Sequence, residues 1–424
     1  MKGLKITIIG SGSTYTPELI EGIINRIEIM PVKKIYLMDI DTKKLNIVGS
    51  LAQRMVIHAG LDCEVVLTND YDEALDGADF VFVQIRVGKL PARVLDEKIP
   101  LKYDLIGQET TGIGGFFKGL RTVPVMMNIA SRMKKLCPNA WMINFTNPSG
   151  ICTQALLDHT DVKMMGLCNV PIGMMSSPVK KFTDQLAEVD YVGLNHLSFI
   201  TSIRQGGRDF LQEALNGNDE LLAKLDGQNS FSKDEIRIMG GVPNYYVTYF
   251  LHPRRELGYL KKSKTSRGED CIAIEEKLLE MFSDANLYIK PEELSLRGGA
   301  RYSEVACSLA ESIYTDNKAL HVVNTYNNGA ISYMEDDDVV ETCAIVGKDG
   351  PQTIKAKQPG GLYIQGLVRG VKAYERLTVK AAIEGSRDDA IRALMINPLI
   401  TDYEAAIGCF DEMLDAHREY LPQF

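Results

Sequence analysis

Lys5–Ile9, KITII, runs directly into Gly10–Leu19, GSGSTYTPEL. A short apolar run bounded by glycine reads as a strand. The glycines at 10 and 12 and the proline at 17 mark a turn that opens into a helix. Such a turn points backbone N–H groups and the positive end of a helix dipole at one spot, and glycine lets a pyrophosphate approach the chain. Tyr15 stands where the third glycine of GxGxxG would be, so a plain strand–turn–helix corner is the competing description. The next apolar run, Lys34–Met38, ends at Asp39, where a carboxylate would accept hydrogen bonds from an adenosine ribose. Gly10, Gly12, Ser13 and Asp39 are therefore the expected dinucleotide contacts. An acidic residue at 39 favours NAD over NADP.

Outward from this stretch the alternation continues. Thr42–His58 reads as a helix, Cys63–Thr68 as a strand and Tyr71–Asp76 as a short helix. Phe80–Ile85 reads as a buried strand, Val123–Leu136 as a helix and Trp141–Phe145 as a strand. Alternation of this kind specifies a parallel sheet covered on both faces. Past about residue 165 the pattern changes. Tyr191–Ile203 alternates and leads to a turn at Gly206-Gly207. Helical stretches follow at Asp234–Phe250, Asp270–Phe282, Gly361–Ile383, Arg387–Met395 and Asp402–Tyr420. Val339–Val346 and Thr353–Ala356 flank a hairpin candidate at Asp349-Gly350. The expected α/β architecture is an N-terminal Rossmann-type parallel sheet over residues 1–165 and a C-terminal α+β domain over 166–424.

Composition agrees with two domains, because 424 residues exceed one ordinary core. Hydrophobic residues at 45% and charged ones at 24% exclude a disordered or collagen-like chain. A net charge of −9 gives no general attraction to nucleic acid or anionic membranes. No apolar run approaches the roughly 20 residues of a membrane span. Ile6–Ile9 is too short for a signal-peptide core, so a cytoplasmic protein is expected. The cysteines form no CxxC pair and read as buried thiols rather than a disulfide framework.

Further motifs follow in order: RVGKLPARVLDEKIP at Arg86–Pro100, GQETTG at Gly107–Gly112, NFTNPSG at Asn144–Gly150, GLCNVP at Gly166–Pro171 and GLNHLSF at Gly193–Phe199. Together with GSGSTYTPEL they resemble glycoside hydrolase family 4, and within it the 6-phospho-β-glucosidases. The resemblance implies a lactate/malate dehydrogenase-like fold, NAD, and a divalent metal, usually manganese. Most glycosidases use two carboxylates, and this NAD-dependent family is an exception. In the family, NAD takes a hydride from C3 of the sugar and the ketone acidifies the proton on C2. A base removes that proton, the leaving group departs from C1, water adds, and NADH returns the hydride. The metal polarises the C3 carbonyl. The resemblance also implies a phosphorylated sugar as partner, with no nucleic acid or membrane, and a homodimer or homotetramer.

Residue by residue, Cys168 and His196 match the family's metal ligands. Chemistry alone would describe a buried thiol and a satisfied core histidine, since one Cys and one His make no local motif. A thiolate is soft and suits zinc or iron better than manganese, so the metal stays open. Asn169 stands where relatives acting on α-linked sugars carry an aspartic acid. Asn has no proton to give, which points to β-linked substrates and leaves the leaving-group acid unassigned. Tyr246, in VPNYYVTYF, matches the family's base for the C2 proton, with Tyr245 the alternative. A free tyrosine titrates near 10, so it needs help from positive charge. Arg93 and Asn147 match sugar contacts, and Asn147 is extended before Pro148. Arg297, with Arg301 as substitute, could grip a 6-phosphate through two parallel hydrogen bonds. Glu109 is placed near the nicotinamide, with shaping its loop as the alternative. The acidic run Glu335–Asp338 reads as a solvated loop. Three rival functions remain at this level: a 6-phospho-α-glucosidase of the same family, an NAD-dependent 2-hydroxyacid dehydrogenase, in which Cys168 and His196 have no task, and a non-catalytic NAD sensor, for which no partner module is visible.

Overall fold

The apolar runs of the first half become strands buried on both faces, the condition for a parallel sheet. The computed structural model describes residues 3–297 and 302–424. Its first six strands are β1 (Leu4–Ile9), β2 (Val32–Met38), β3 (Glu64–Thr68), β4 (Phe80–Val83), β5 (Trp141–Asn144) and β6 (Lys163–Gly166). Ile6, Ile8, Phe82, Ile143 and Met165 are fully buried. The strands run parallel in the order β3-β2-β1-β4-β5-β6. Strand order reverses between β1 and β4, and in open α/β sheets ligands bind beyond the strand C-termini at such a switch point.

The chain then builds a small antiparallel sheet from β7 (Glu188–Leu194), β8 (Leu197–Gln205), β9 (Arg208–Asp209) and β10 (Val242–Pro243). β8 lies between β7 and β10, and also pairs with β9. Three later strands, β11 (Ala319–Tyr326), β12 (Val339–Gly347) and β13 (Gly350–Thr353), return to the first sheet. β11 meets β6 antiparallel, Asn324 opposite Gly166, so nine strands of the described residues form one sheet. Helices return as well. Tyr302–Thr315 packs on Thr16–Ile24, and Arg267–Phe282 packs on Thr42–His58.

Four stretches depart from the sequence expectation, one of them the second arm of the late hairpin, which is Gly350–Thr353 rather than Thr353–Ala356. The helix expected from Val123 begins at Gly112 and runs to Leu136. Its early glycines are packing sites rather than breakers. A Cβ on Gly114 would lie 2.4 Å from the Gln108 carbonyl oxygen, and one on Gly115 would lie 2.4 Å from the Thr110 carbonyl carbon. Tyr191–Ile203 is two strands rather than one, reversed at Asn195-His196 between β7 and β8. Asp234–Phe250 is not one helix. Lys233–Met239 stops at left-handed Gly240 (φ +77°), and β10 then pairs with β8. In that last case a sheet edge outcompeted helical periodicity.

Two large apolar cores support this frame. Ile113, Phe116, Phe117 and Leu120 of the long helix join Tyr191, Phe199 and Phe410 in one. The helices Thr16–Ile24, Thr42–His58 and Tyr302–Thr315 cover one face of the large sheet in the other. Burying side chains of this size is worth about 1.5–3 kcal/mol each, and the second core draws on both halves of the chain. All eight cysteines are free. Among the described residues no helix is long and apolar enough to cross a membrane.

Candidate active site

The turn after β1 is made largely by its own backbone. Gly10 has φ +88°, and a Cβ there would lie 2.7 Å from the Gln84 carbonyl oxygen beyond β4. Both facts require glycine. Gly12 N–H donates to Asp39 Oδ2 at 2.7 Å, and Asp41 N–H donates to Oδ1 at 2.8 Å. The Ser13 carbonyl accepts from Thr16 N–H at 3.0 Å, which opens the helix with Pro17 in its first turn. Burial raises the Asp39 carboxyl above its usual range, against the two N–H bonds. A carboxylate has about four lone-pair sites, so the half-buried Asp39 keeps acceptor capacity after serving the turn.

Arg297 lies over the same turn. Its guanidinium hydrogen-bonds Thr14 Oγ1, sits 5.0 Å from the Tyr15 ring centre and is 3.5 Å from Glu275, which also pairs with Lys44. Arg301 lies outside the described residues.

Cys168 follows β6 and His196 sits in the tight turn between β7 and β8. The fold brings Cys168 Sγ to 3.5 Å from His196 Nε2, with both residues buried. His196 takes φ +64°, a conformation costing of order 1–3 kcal/mol for a residue with a side chain. Burial pulls its imidazole down to about 3, so the ring is neutral at pH 7. Asn169 precedes the helix Val170–Lys180, and its Oδ1 lies 3.9 Å from Cys168 Sγ.

Tyr246 stacks on His196 with ring centres 4.0 Å apart, and Tyr245 stacks on Tyr246 at 4.3 Å. Tyr245 is 47% exposed, whereas Tyr246 is half-buried. Asn244 holds this segment. Its Oδ1 accepts from Tyr246 N–H at 2.7 Å, and its amide donates to Ser198 Oγ of β8 at 3.0 Å.

Beside the pair is a charged wall. Glu109 is ion-paired with Arg86, Lys118 and Arg93, the last at 2.8 Å. Burial alone would raise its carboxyl, but the three cations hold it well below its usual range. Burial and the Arg86 charge pull Lys118 down to about 7. Arg93 also binds Glu97 at 2.7 Å. Two arginines balance two carboxylates here, and Lys118 adds a partial positive charge near pH 7. Asn147 follows β5 and joins Pro148 through a cis peptide. Its neighbour Thr146 accepts from Ile85 N–H at 2.9 Å, tying the ends of β4 and β5 together.

Several residues here escaped the sequence reading, namely Arg86, Lys118, Gln108, Thr110 and Asn244. All but Lys118 stood inside a quoted motif, Arg86 at the start of RVGKLPARVLDEKIP, Gln108 and Thr110 in GQETTG and Asn244 in VPNYYVTYF. The usable signal was a polar run closed by a helix whose first turns carry three glycines, a pattern that admits close backbone contact.

With this geometry in view, comparison with known proteins becomes specific. A model described as family 4 glycosyl hydrolase matches residues 5–183, and a model of that family's C-terminal domain matches residues 191–400. The chain belongs to glycosyl hydrolase family 4. Within the family, it is 44% identical to a probable 6-phospho-beta-glucosidase of Bacillus subtilis (strain 168), over 100% of this chain and 98% of the relative. The 6-phospho-beta glucosidase of Thermotoga maritima, solved with manganese, NAD+ and glucose-6-phosphate, matches with a TM-score of 0.87 and 34% identity, covering 98% of this chain and 99% of that one. A 6-phospho-alpha-glucosidase from gut microorganisms, solved with NAD and Mn2+, matches with a TM-score of 0.86 and 27% identity over 100% of both.

The residues present fit both groups. Asp39 provides a ribose acceptor and the glycines of the turn admit close approach of a pyrophosphate, although the N–H groups of residues 10–13, 15 and 16 bond within the protein. A separation of 3.5 Å between Sγ and Nε2 suits two ligands of one ion bound at about 2.3 and 2.1 Å. Among the described residues no third His, Cys, Asp or Glu joins them, so a metal held here keeps positions for substrate oxygens and water.

Proposed function

We propose that this enzyme hydrolyses 6-phospho-β-glucosides, such as cellobiose 6-phosphate, to glucose 6-phosphate by oxidation, elimination, addition and reduction. The observation that carries the reading is the Cys168–His196 pair, backed by the stacked Tyr246, on the same sheet edge as the glycine-rich turn. When bound, NAD supplies a reversible hydride acceptor for C3, and a divalent metal such as manganese supplies a Lewis acid for the oxygen on that carbon.

The chain's residues then have distinct tasks. Gly10, Gly12, Ser13 and Asp39 hold the dinucleotide, and Glu109 keeps Arg86, Arg93 and Lys118 gathered beside it. Cys168 and His196 hold the metal. Tyr246 takes the proton from C2, and its stacking on His196 fixes the phenol beside the metal ligands. Arg93 and Asn147 orient the sugar. Arg297 offers its guanidinium to a phosphate, and the Thr14 contact sets that phosphate close to the nucleotide turn. Asn169 hydrogen-bonds the substrate without donating an acid proton, and this supports a β-linked leaving group. The higher identity to the β-acting relatives, 44% and 34% against 27%, supports the same choice. Sugars phosphorylated during uptake arise in the cytoplasm, where this enzyme is proposed to act as a homodimer or homotetramer.

The test is release of p-nitrophenol from its 6-phospho-β-glucoside, under reductant, with and without NAD and Mn2+, beside the α-anomer and the unphosphorylated glucoside. The expected outcome is activity that needs both additives and the phosphate and favours the β-anomer. A preference for the α-anomer would overturn the role given to Asn169. Hydrolysis independent of NAD would overturn the mechanism.

A further inference from the structure

The loop Gly107–Thr111 meets the rear of the His196 ring. Gln108 Oε1 accepts from the backbone N–H of Thr110 at 2.6 Å and of Thr111 at 2.8 Å. Two backbone donors fix that atom as the amide oxygen rather than the nitrogen. The Thr110 hydroxyl lies 2.9 Å from the same oxygen. A carbonyl oxygen cannot donate, so the bond across these 2.9 Å runs from the hydroxyl to Gln108, as a third donor on that oxygen. Thr110 Oγ1 is also 2.8 Å from His196 Nδ1, and in that direction it has only a lone pair to offer. With the hydroxyl proton on Gln108, His196 Nδ1 is the atom that carries a hydrogen and donates it. In a neutral imidazole the other nitrogen is then bare, and that nitrogen is the Nε2 that faces Cys168 Sγ.

We propose that Gln108 and Thr110 are positioning residues that hold His196 in its Nδ1–H form and so aim the Nε2 lone pair at the metal site before any ion arrives. The unusual backbone of the site supports this role. His196 is held at φ +64° in a two-residue turn, and Tyr246 stacked on its ring at 4.0 Å restrains the imidazole. The loop is itself held from behind by Gly114 and Gly115, where any side chain would collide with Gln108 or Thr110. Outer partners of ligating histidines commonly change metal affinity by roughly 10–100-fold. The metal part of the inference rests on the proposed role of Cys168 and His196, whereas the tautomer does not.

Two measurements test it. The first is the imidazole 15N spectrum of the metal-free protein at pH 7, with His196→Gln used to assign the resonance. The expected pattern is a protonated Nδ1 and an unprotonated Nε2. A protonated Nε2, or a mixture of tautomers, would overturn the proposal. The second is Mn2+ affinity, measured by chelator competition on NAD-loaded protein. Thr110→Val, which keeps the shape and removes the hydroxyl, should lose roughly 10–100-fold, while Thr110→Ser should stay within about threefold of the parent. Unchanged affinity in a folded Thr110→Val protein would overturn the positioning role. If Thr110→Val fails to fold, the spectrum of the parent still decides the tautomer. A parent with the expected tautomer but no Mn2+ binding would defeat the assignment of the metal pair and leave the tautomer argument standing.

Discussion

The glycine-rich turn and the Cys168–His196 pair lie at the same edge of one sheet but are built by opposite means. The turn is contiguous, residues 10–16, and works mostly through backbone groups, with Asp39 as its one distant carboxylate. The pair is assembled from side chains that come from the end of β6, the β7–β8 turn and, for the stacked Tyr246, the segment after β10. A backbone site tolerates loss of side chains and is damaged by added bulk. A side-chain site is lost with one truncation. The contrast predicts which substitutions hurt, and by how much.

The largest effect is expected from Cys168→Ala, with kcat/KM falling about 10³-fold or more while NAD affinity stays at the parent level. Steady-state kinetics and NAD titration check both halves. A loss of NAD binding would erase the separation between the two regions. Tyr246→Phe keeps the ring on His196 and removes only the phenol, so kcat should fall by about 10²–10⁴ with Mn2+ affinity retained. Tyr245→Phe, at the exposed end of the stack, should cost less than about tenfold. The reverse ranking would exchange the roles of the two tyrosines.

Gly12→Ala probes the other region by adding bulk. Its Cβ would lie 2.9 Å from Asp39 Oδ2 and 3.1 Å from Lys44 Cβ. NAD should bind about tenfold more weakly, roughly 1.4 kcal/mol, with Mn2+ affinity unchanged. Equal loss of both would mean that the regions are coupled rather than merely adjacent.

The smallest effect is read in stability. Glu341 is buried, and its carboxylate accepts from Tyr191 Oη at 2.9 Å and from Nδ2 of Asn195, the neighbour of His196, at 3.0 Å. Burial, opposed by these bonds, raises its carboxyl from 4.5 to about 7. The folded protein therefore holds this proton more tightly than the unfolded chain does. The resulting stability is full below pH 4.5 and is lost as pH rises toward 7, at most about 3 kcal/mol. Glu341→Gln cannot ionise, so between pH 5 and 8 its Tm should improve relative to the parent, whatever the offset at pH 5. Parallel Tm profiles would show that Glu341 ionises normally.

Legibility followed the same division. The helix Thr42–His58 has the expected bounds because its apolar spacing is local, and β1 and β2 were placed within two residues. Gly10, Gly12, Ser13 and Asp39 could be proposed from physics because a strand, a turn and a helix start are adjacent in sequence. The pair at 168 and 196 could not. It was named through resemblance, because no local spacing links a residue after one strand to a residue in a turn of another sheet. The reversal at Asn195-His196 was missed because no Gly or Asn-Gly signal marks it, and the αL position falls on His196 itself. The long helix was started too late because glycine counts against a helix, although here glycine is what lets the Gln108–Thr110 loop lie on its first turn.

The sequence by itself determined the parallel sheet, the nucleotide turn, the acidic residue that ends β2 and the family, because periodicity, turn chemistry and motif order are properties of neighbouring residues. The tertiary structure decided that β11–β13 complete the first sheet, that Arg297 rests on the nucleotide turn, that Glu109 is enclosed by three cations, and that Thr110 faces the rear nitrogen of His196. Each of these joins groups far apart along the chain, and their meeting depends on strand pairing and packing that no local pattern encodes.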